Sequence, residues 1–385
     1  MPSMFARKLS PPDHSFFLFG PRGTGKSTWV RAHFPTAKTY DLLNTGEALR
    51  LAREPHALFR ETCSLPPSSW VVIDEIQKVP ALLDEVHALI ESHNLRFVLT
   101  GSSARKLRRG ASNLLGGRAA VEAMHPLVSA EMGTSFSADE AIAHGTLPLA
   151  VTRKDPKGFL TAYAQTYLQE EIRAEALTRN IGNFARFLEI AARQNGQVTN
   201  VAGVSRDAAV SRQTVQNYFE ILEDTLLGFW LRPWKLKPAT RQVAHPKFYL
   251  FDSGVARALT GRIAYPPSPE EKGPLMETWI LNEIRAYLNY ERLAYPLHYW
   301  RTHDGSEVDV LLETRDGHVA VEIKSGTRWD TRYNRSLQSL KQFFGGKPLR
   351  CHGVFLGEHA SRWGDVQVHP AREFLSLLWA GEIIR

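Results

Sequence analysis

Residues 16–28 run FFLFGPRGTGKST, and the G-x-x-x-x-G-K-S spacing from Gly20 to Ser27 constrains this chain more than any other stretch. The apolar run Phe16–Phe19 predicts a buried strand and the residues from Lys26 onward a helix, so the glycine-rich loop falls at a strand-to-helix turn. Gly20, Gly23 and Gly25 let the backbone turn tightly and present its N–H groups to phosphate oxygens. The helix N-terminus adds the positive end of its dipole. Lys26 is spaced to reach the β- and γ-phosphates of ATP, and Ser27 to put its hydroxyl on Mg2+. Pro21, Arg22, Thr24 and Thr28 complete the nucleotide-binding stretch.

A second strand ends in acid. Residues 70–77 read WVVIDEIQ, and four apolar residues followed by Asp-Glu match the second phosphate-site motif of P-loop ATPases. Asp74 would hold Mg2+ through water and Glu75 would polarise the attacking water. The next apolar run, Arg96–Thr100, leads into Gly101-Ser102-Ser103. A hydroxyl there, Thr100 or Ser102, would contact the γ-phosphate or the lytic water, or else cap a turn. Helical segments at 46–60 and 80–92 alternate with these strands, which predicts an α/β fold with a parallel, doubly wound sheet and the ligand beyond its carboxyl ends.

GPRGTGKST, VVIDEIQ, LTGSS, LLGGR (114–118) and KFYLFDSG (247–254) together resemble the AAA+ superfamily, and within it prokaryotic ATPases with a poorly characterised C-terminal domain. The resemblance implies a homo-oligomer, often a ring, in which an arginine of one subunit reaches its neighbour's γ-phosphate. Arg118, exposed behind two glycines, is the first candidate and Arg173 the second; a surface salt bridge is the plain alternative for either. The implied division is an ATPase domain at 1–135, a helical lid and winged-helix domain at 136–250, and an α/β nuclease-like domain at 251–385.

Composition narrows the class. With 385 residues, 43% hydrophobic and 23% charged, the chain has the make-up of a globular protein of two or three domains. No apolar run approaches the ~20 residues that span a bilayer, which leads us to expect a cytoplasmic protein with no membrane partner. Two cysteines, Cys63 and Cys351, are too few and too far apart for a disulfide framework or a thiolate metal site. Lys and Arg number 47 against 40 Asp and Glu, a net +7, a mild lean towards polyanions. Two runs lack acids: Arg105, Lys106, Arg108, Arg109 and Arg118, then Arg232, Lys235, Lys237, Arg241 and Lys247 beside Trp230 and Trp234.

The middle of the chain has helical periodicity. Phe159, Tyr163, Tyr167 and Ile172 share one face and Phe184, Phe187, Leu188 and Ala191 another, as core stripes do. Residues 198–222 predict helix, tight turn, helix, with Val210, Val215, Phe219 and Leu222 inward and Ser211 as a cap. Arg212, Gln213, Gln216 and Asn217 would face outward, where they suit a DNA groove. Ala209 stands where such turns commonly have glycine, and 230–247 would supply a wing. Such a unit also serves as a protein-docking module or a lid.

A proline-rich loop near 264–273 precedes a helix at about 274–290 that carries Glu277 and Glu283. Strands 306–313 and 318–325 follow. Were Arg315-Asp316 the two-residue turn, Asp309 would lie opposite Glu322; with Asp316-Gly317 it would lie opposite Lys324. Either register puts Asp309, Glu322 and Lys324 on one face. Helical Glu, strand Asp, then E-x-K resembles the PD-(D/E)xK nuclease fold, with strand 351–356 and helix 371–380 suiting its outline. That resemblance implies Mg2+ between Asp309, Glu322 and a helical acid, with Lys324 steadying a water or phosphate. Glu283 is the first choice for that acid and Glu277 the reserve. A salt-bridged surface strand is the plain alternative.

The expectation is thus an ATP-hydrolysing machine acting on DNA, with a winged-helix connector and a nuclease-like tail whose cleavage of DNA is left open. The rival is a nucleotide-gated switch with a protein partner and a silent nuclease fold. A small-molecule kinase shares the phosphate loop but not the Asp-Glu strand end.

Overall fold

The computed structural model describes residues 5–102, 117–167, 181–235 and 245–384. Arg105, Lys106, Arg108, Arg109, Arg173, Lys237 and Arg241 lie outside the described residues. Two compact units divide the chain: the first comprises Ala6–His125 and Asp224–Leu227, and the second takes the remainder.

Among the described residues five short strands build the first unit: β1 (Phe16–Phe19), β2 (Lys38–Asp41), β3 (Trp70–Asp74), β4 (Arg96–Gly101) and β5 (Ala120–Ala123). They pair in parallel in the order β2-β3-β4-β1-β5. Both faces of the sheet are covered, and β1 is accordingly apolar throughout rather than alternating. Phe17 and Phe19 join Val71, Ile73, Phe97, Leu99 and the helix Leu82–His93 in one core. Phe16 points the other way and meets Trp29 edge-on at 6.2 Å between ring centres. Trp29 belongs to α1 (Lys26–His33), which follows the phosphate loop. The register sets Phe19 beside Gly101 and Ile73 beside Leu99, so β1, β3 and β4 end at one edge.

The second unit opens with helices and closes with a sheet. In its helical part, α2 (Ile181–Arg193), α3 (Val201–Ala208) and α4 (Arg212–Asp224) pack through the expected stripe: Phe184, Phe187, Leu188 and Ala191 are buried, as are Val215, Phe219 and Leu222. Phe184 contacts Tyr218 and Phe187 contacts Phe219, each at 4.9 Å between ring centres. The turn between α3 and α4 is held without glycine: Ala209 takes φ 54°, the left-handed region, which costs an L-residue about 1 kcal/mol. Ser211 caps α4, its Oγ accepting from the Thr214 N–H at 3.1 Å.

Among the described residues eight strands make the mixed sheet, in the order β12-β13-β11-β10-β9-β8-β6-β7. They are β6 (Gly228–Pro233), β7 (Lys247–Leu250), β8 (Leu297–Arg301), β9 (Glu307–Thr314), β10 (Gly317–Lys324), β11 (Leu349–Phe355), β12 (Ser361–Trp363) and β13 (Val366–Pro370). The hairpin β6–β7, expected as part of the middle domain, is built into this sheet through Arg232 and Pro233, which pair with His298 and Tyr299. Thr314 pairs with Gly317, so Arg315-Asp316 is the turn and the first of the two registers is realised. A long helix, α5 (Pro269–Tyr290), begins at a capping box in which the Ser268 and Glu271 side chains each bond the other's backbone N–H. Cys351 is buried in the sheet, and Cys63 of the first unit is half-buried; both are free thiols.

Candidate functional site

The loop after β1 has the backbone a phosphate cradle needs. Gly23 and Gly25 adopt φ 84° and 95°, a region in which glycine has no penalty. Gly20 lies against the carbonyl of Met124, and a β-carbon would run into it. The loop is pinned from within by Thr24 Oγ1 donating to the Pro21 carbonyl at 2.9 Å. From outside, Arg7 donates to the carbonyls of Thr24 at 2.6 Å and His125 at 2.7 Å. Sequence reasoning missed Arg7: its contacts lie far along the chain, and no spacing links it to the loop.

Lys26 is buried and donates to the carbonyls of Gly20 at 2.7 Å and Pro21 at 3.2 Å. Its ammonium lies over the loop, within reach of any phosphate the loop takes up. Ser27 Oγ donates to Asp74 Oδ2 at 2.8 Å, so the hydroxyl and carboxylate expected to hold Mg2+ already converge. Oxygen donors of this kind fit a hard divalent cation. Thr100, fully buried, donates to the other Asp74 oxygen and accepts from the Glu75 N–H at 3.2 Å. Glu75 adopts φ 63°, unusual for a residue with a side chain. Its carboxylate accepts from Gln77 Nε2 and lies 3.4 Å from Ser102 Oγ. Arg22 and Thr28 lie exposed at the mouth. Arg118 follows Gly117 on the turn before β5 and ion-pairs with Glu91, both side chains largely in solvent.

The second unit carries a charge cluster across β7, β9, β10 and α5. Lys324 Nζ lies 2.5 Å from Glu322 and 3.6 Å from Asp309, whose Oδ2 also accepts the Ile323 N–H at 2.7 Å. Glu283, the expected helical acid, is elsewhere: it accepts from the N–H and hydroxyl of Ser129 at 2.7 and 3.2 Å and from Trp379 Nε1 at 2.8 Å. It ties three elements together, and its assignment to the cluster is corrected accordingly. Glu277, the reserve, does belong there: it accepts from Tyr249 at 2.8 Å and faces Lys247 at 3.8 Å. Lys247 also pairs with Glu307 at 2.5 Å, and Arg301 reaches the same carboxylate at 3.2 Å. Glu307 was not among the expected residues, and Lys247, expected in the basic run of a wing, is buried among these acids instead. A lysine opening the apolar run KFYLF was the available signal.

Burial, then the charge of Asp309, pushes Glu277 up to about 7 and raises Glu322 well above the carboxylate range. Burial opposes the charges of Lys247 and Lys324, but the surrounding carboxylates outweigh it and hold both ammoniums charged. The donor types would suit Mg2+, and Glu322 Oε2 is buried with no hydrogen-bond partner among the described residues. The positions between the carboxylates are nevertheless taken by ammonium groups. Among the described residues no group of three or more His, Cys, Asp or Glu side chains is arranged to hold a metal ion. As folded, the cluster does not fit the expected cation.

The rest of KFYLFDSG is structural. Asp252 accepts from the N–H groups of Thr146 at 2.8 Å and Val255 at 2.9 Å, knotting 141–147 to the helix Ser253–Leu259. Gly254 lies where a β-carbon would strike the His144 carbonyl.

With this geometry in place, the comparisons are informative. Residues 13–133 match the model of the AAA domain. The first unit is thus a P-loop nucleotide-binding domain of AAA type. Residues 136–264 and 272–374 match two domains of unknown function, DUF8612 and DUF4143. An uncharacterized protein of Mycobacterium tuberculosis is 29% identical over 371 residues, covering 93% of this chain and 80% of the relative, and one of Mycobacterium bovis matches equally. An uncharacterized protein of Haemophilus influenzae is 23% identical over 272 residues, covering 66% of this chain and 65% of that protein. Among solved structures, the Aeropyrum pernix ORC1 protein in complex with DNA aligns over 66% of this chain and 87% of its own, at 12% identity and TM-score 0.32. Can2 from Sulfobacillus thermosulfidooxidans in complex with cyclic tetra-adenylate covers 97% and 100%, at 11% and 0.23. Both likenesses are too loose to bear on function. Among the described residues no helix is long and apolar enough to cross a membrane.

Proposed function

We propose that the chain hydrolyses ATP and couples hydrolysis to work on DNA. The convergence of Ser27, Asp74, Glu75 and Thr100 at the phosphate loop carries this reading. The loop N–H groups and the N-terminus of α1 bind the phosphates. Lys26 exchanges its carbonyl partners for the β- and γ-phosphate oxygens. Ser27 and Asp74 would hold Mg2+, and the ion would supply positive charge beside the γ-phosphate. Glu75 takes a proton from the attacking water, and Thr100 keeps Asp74 and the Glu75 backbone in register. In an oligomer, Arg118 leaves Glu91 and completes a neighbour's site. DNA would lie along α4, whose Arg212, Gln213, Gln216 and Asn217 are all exposed.

The tail favours a second reading of its own. Because lysines fill the C-terminal cluster, we assign that domain a binding role and route no cleavage step through it. Phosphate release by the full chain, alone and with duplex, single-stranded or branched DNA, tests both readings beside Lys26→Ala, Glu75→Gln and Lys324→Ala. Hydrolysis lost in the first two and stimulated by DNA supports the proposal. Hydrolysis unaffected by Lys26→Ala overturns it. Mg2+-dependent cutting lost in Lys324→Ala would restore the nuclease reading, and indifference to every DNA would turn the proposal to a protein partner.

A further inference from the structure

We infer that Gln77 is a positioning residue that sets the Glu75 carboxylate for hydrolysis; the inference rests on the ATPase reading above. Gln77 sits on the one-turn 3-10 helix Ile76–Lys78 that follows β3 and is 4% exposed. Its Nε2 donates to Glu75 Oε2 and lies 3.3 Å from Ser102 Oγ at the end of β4. One amide therefore joins the two strand ends on which Glu75, Thr100 and Ser102 stand.

Fold stability does not account for an amide here. The Gln77 Oε1 is buried with no hydrogen-bond partner among the described residues, and an unsatisfied buried acceptor is a net cost. An apolar side chain of the same length would fill the space without that cost. What the amide supplies and an apolar chain does not is an N–H aimed at the carboxylate. The need for it lies in the Glu75 backbone. At φ 63° and ψ 47° that residue is held in a sparsely populated conformation, and its carboxylate is held by the Gln77 amide together with a longer contact to Ser102 Oγ at 3.4 Å. The neighbouring backbone is shaped to the same amide: a β-carbon on Gly101 would sit 2.7 Å from Gln77 Oε1, so β4 closes with a residue that leaves the amide room. A general base displaced by an ångström loses about two orders of magnitude in rate.

The test uses the full chain with Gln77→Met, which keeps the side-chain length and removes the donor, and Gln77→Glu, which keeps the shape and sets a carboxylate against Glu75. Steady-state ATP hydrolysis should show kcat lower by about 10- to 100-fold in both, with KM for ATP within about twofold of wild type. Melting temperature and fluorescent-ATP binding report that each variant is folded. In a Glu75→Gln background, Gln77→Met should take nothing further from the residual rate, because the two act as a unit. Wild-type kcat in Gln77→Met, or losses that multiply in the double variant, overturns the inference alone. A wild-type chain that binds ATP and never hydrolyses it removes the ATPase reading and this inference together.

Discussion

Gly20 packs so closely on the carbonyl of Met124 that a β-carbon there would meet backbone, which cannot rotate aside. Gly20→Ala should therefore displace the loop, costing about 1–3 kcal/mol of stability in the first unit and weakening ATP binding in the same preparation, as calorimetry would read. Lys247 presents the opposite problem, a buried cation whose partners would be orphaned. Removing it leaves Glu277 and Glu307 facing each other without an ammonium. Lys247→Met is expected to lower the urea stability of the second unit by about 3–5 kcal/mol, and adding Glu277→Gln and Glu307→Gln should recover part of that. Phosphate release should be unchanged in both, because Lys247 belongs to the second unit and the nucleotide residues to the first.

On the scale of the element, α5 explains why one acid was misassigned. Glu277 and Glu283 are six positions apart, so they leave an α-helix on different sides. An amphipathic helix would have declared which side meets the sheet, but α5 buries Leu275, Met276, Trp279, Ile280, Leu281 and Ile284 all round. Its sequence consequently holds no sign of orientation. The phosphate loop was legible because its chemistry is a local spacing, as was the Asp74-Glu75 strand end. Glu283 carries a pH signature of its new role. Burial raises it to about 7 from an ordinary 4.5, so between those values the folded chain keeps a proton that the unfolded chain has lost. Its contribution to stability is whole below about 4.5 and is lost as the pH rises through 7. Glu283→Gln should flatten that decline, on the order of 3 kcal/mol, in denaturation curves taken at pH 4.5, 6 and 8. The helix α4 yields a different measurement. If Arg212 contacts a phosphate, Arg212→Ala should weaken every duplex alike and lower the slope of log affinity against log salt by about 1.

The whole molecule carries a net +7, and DNA affinity that survives at high salt would have to come from contacts other than charge. Pairing between distant segments of the second unit was the part least visible in the sequence. The hairpin β6–β7 was expected to belong with the helices before it, and it does pack on them through Phe219 and Phe248, 4.8 Å apart. Only non-local pairing, Arg232 with His298, reveals that the same hairpin extends the eight-stranded sheet. Strand partners so far apart along a chain leave no periodicity to detect.

The placement of the two thiols gives the molecule a pair of internal clocks. Cys63 is half-buried in the first unit, while Cys351 is 5% exposed on β11 of the second, its thiol pushed up to about 11 by burial. A thiol-reactive dye should mark Cys63 promptly and reach Cys351 only as often as the sheet around it parts. A ligand that steadies one unit would slow one clock, and a ligand that grips both would slow two.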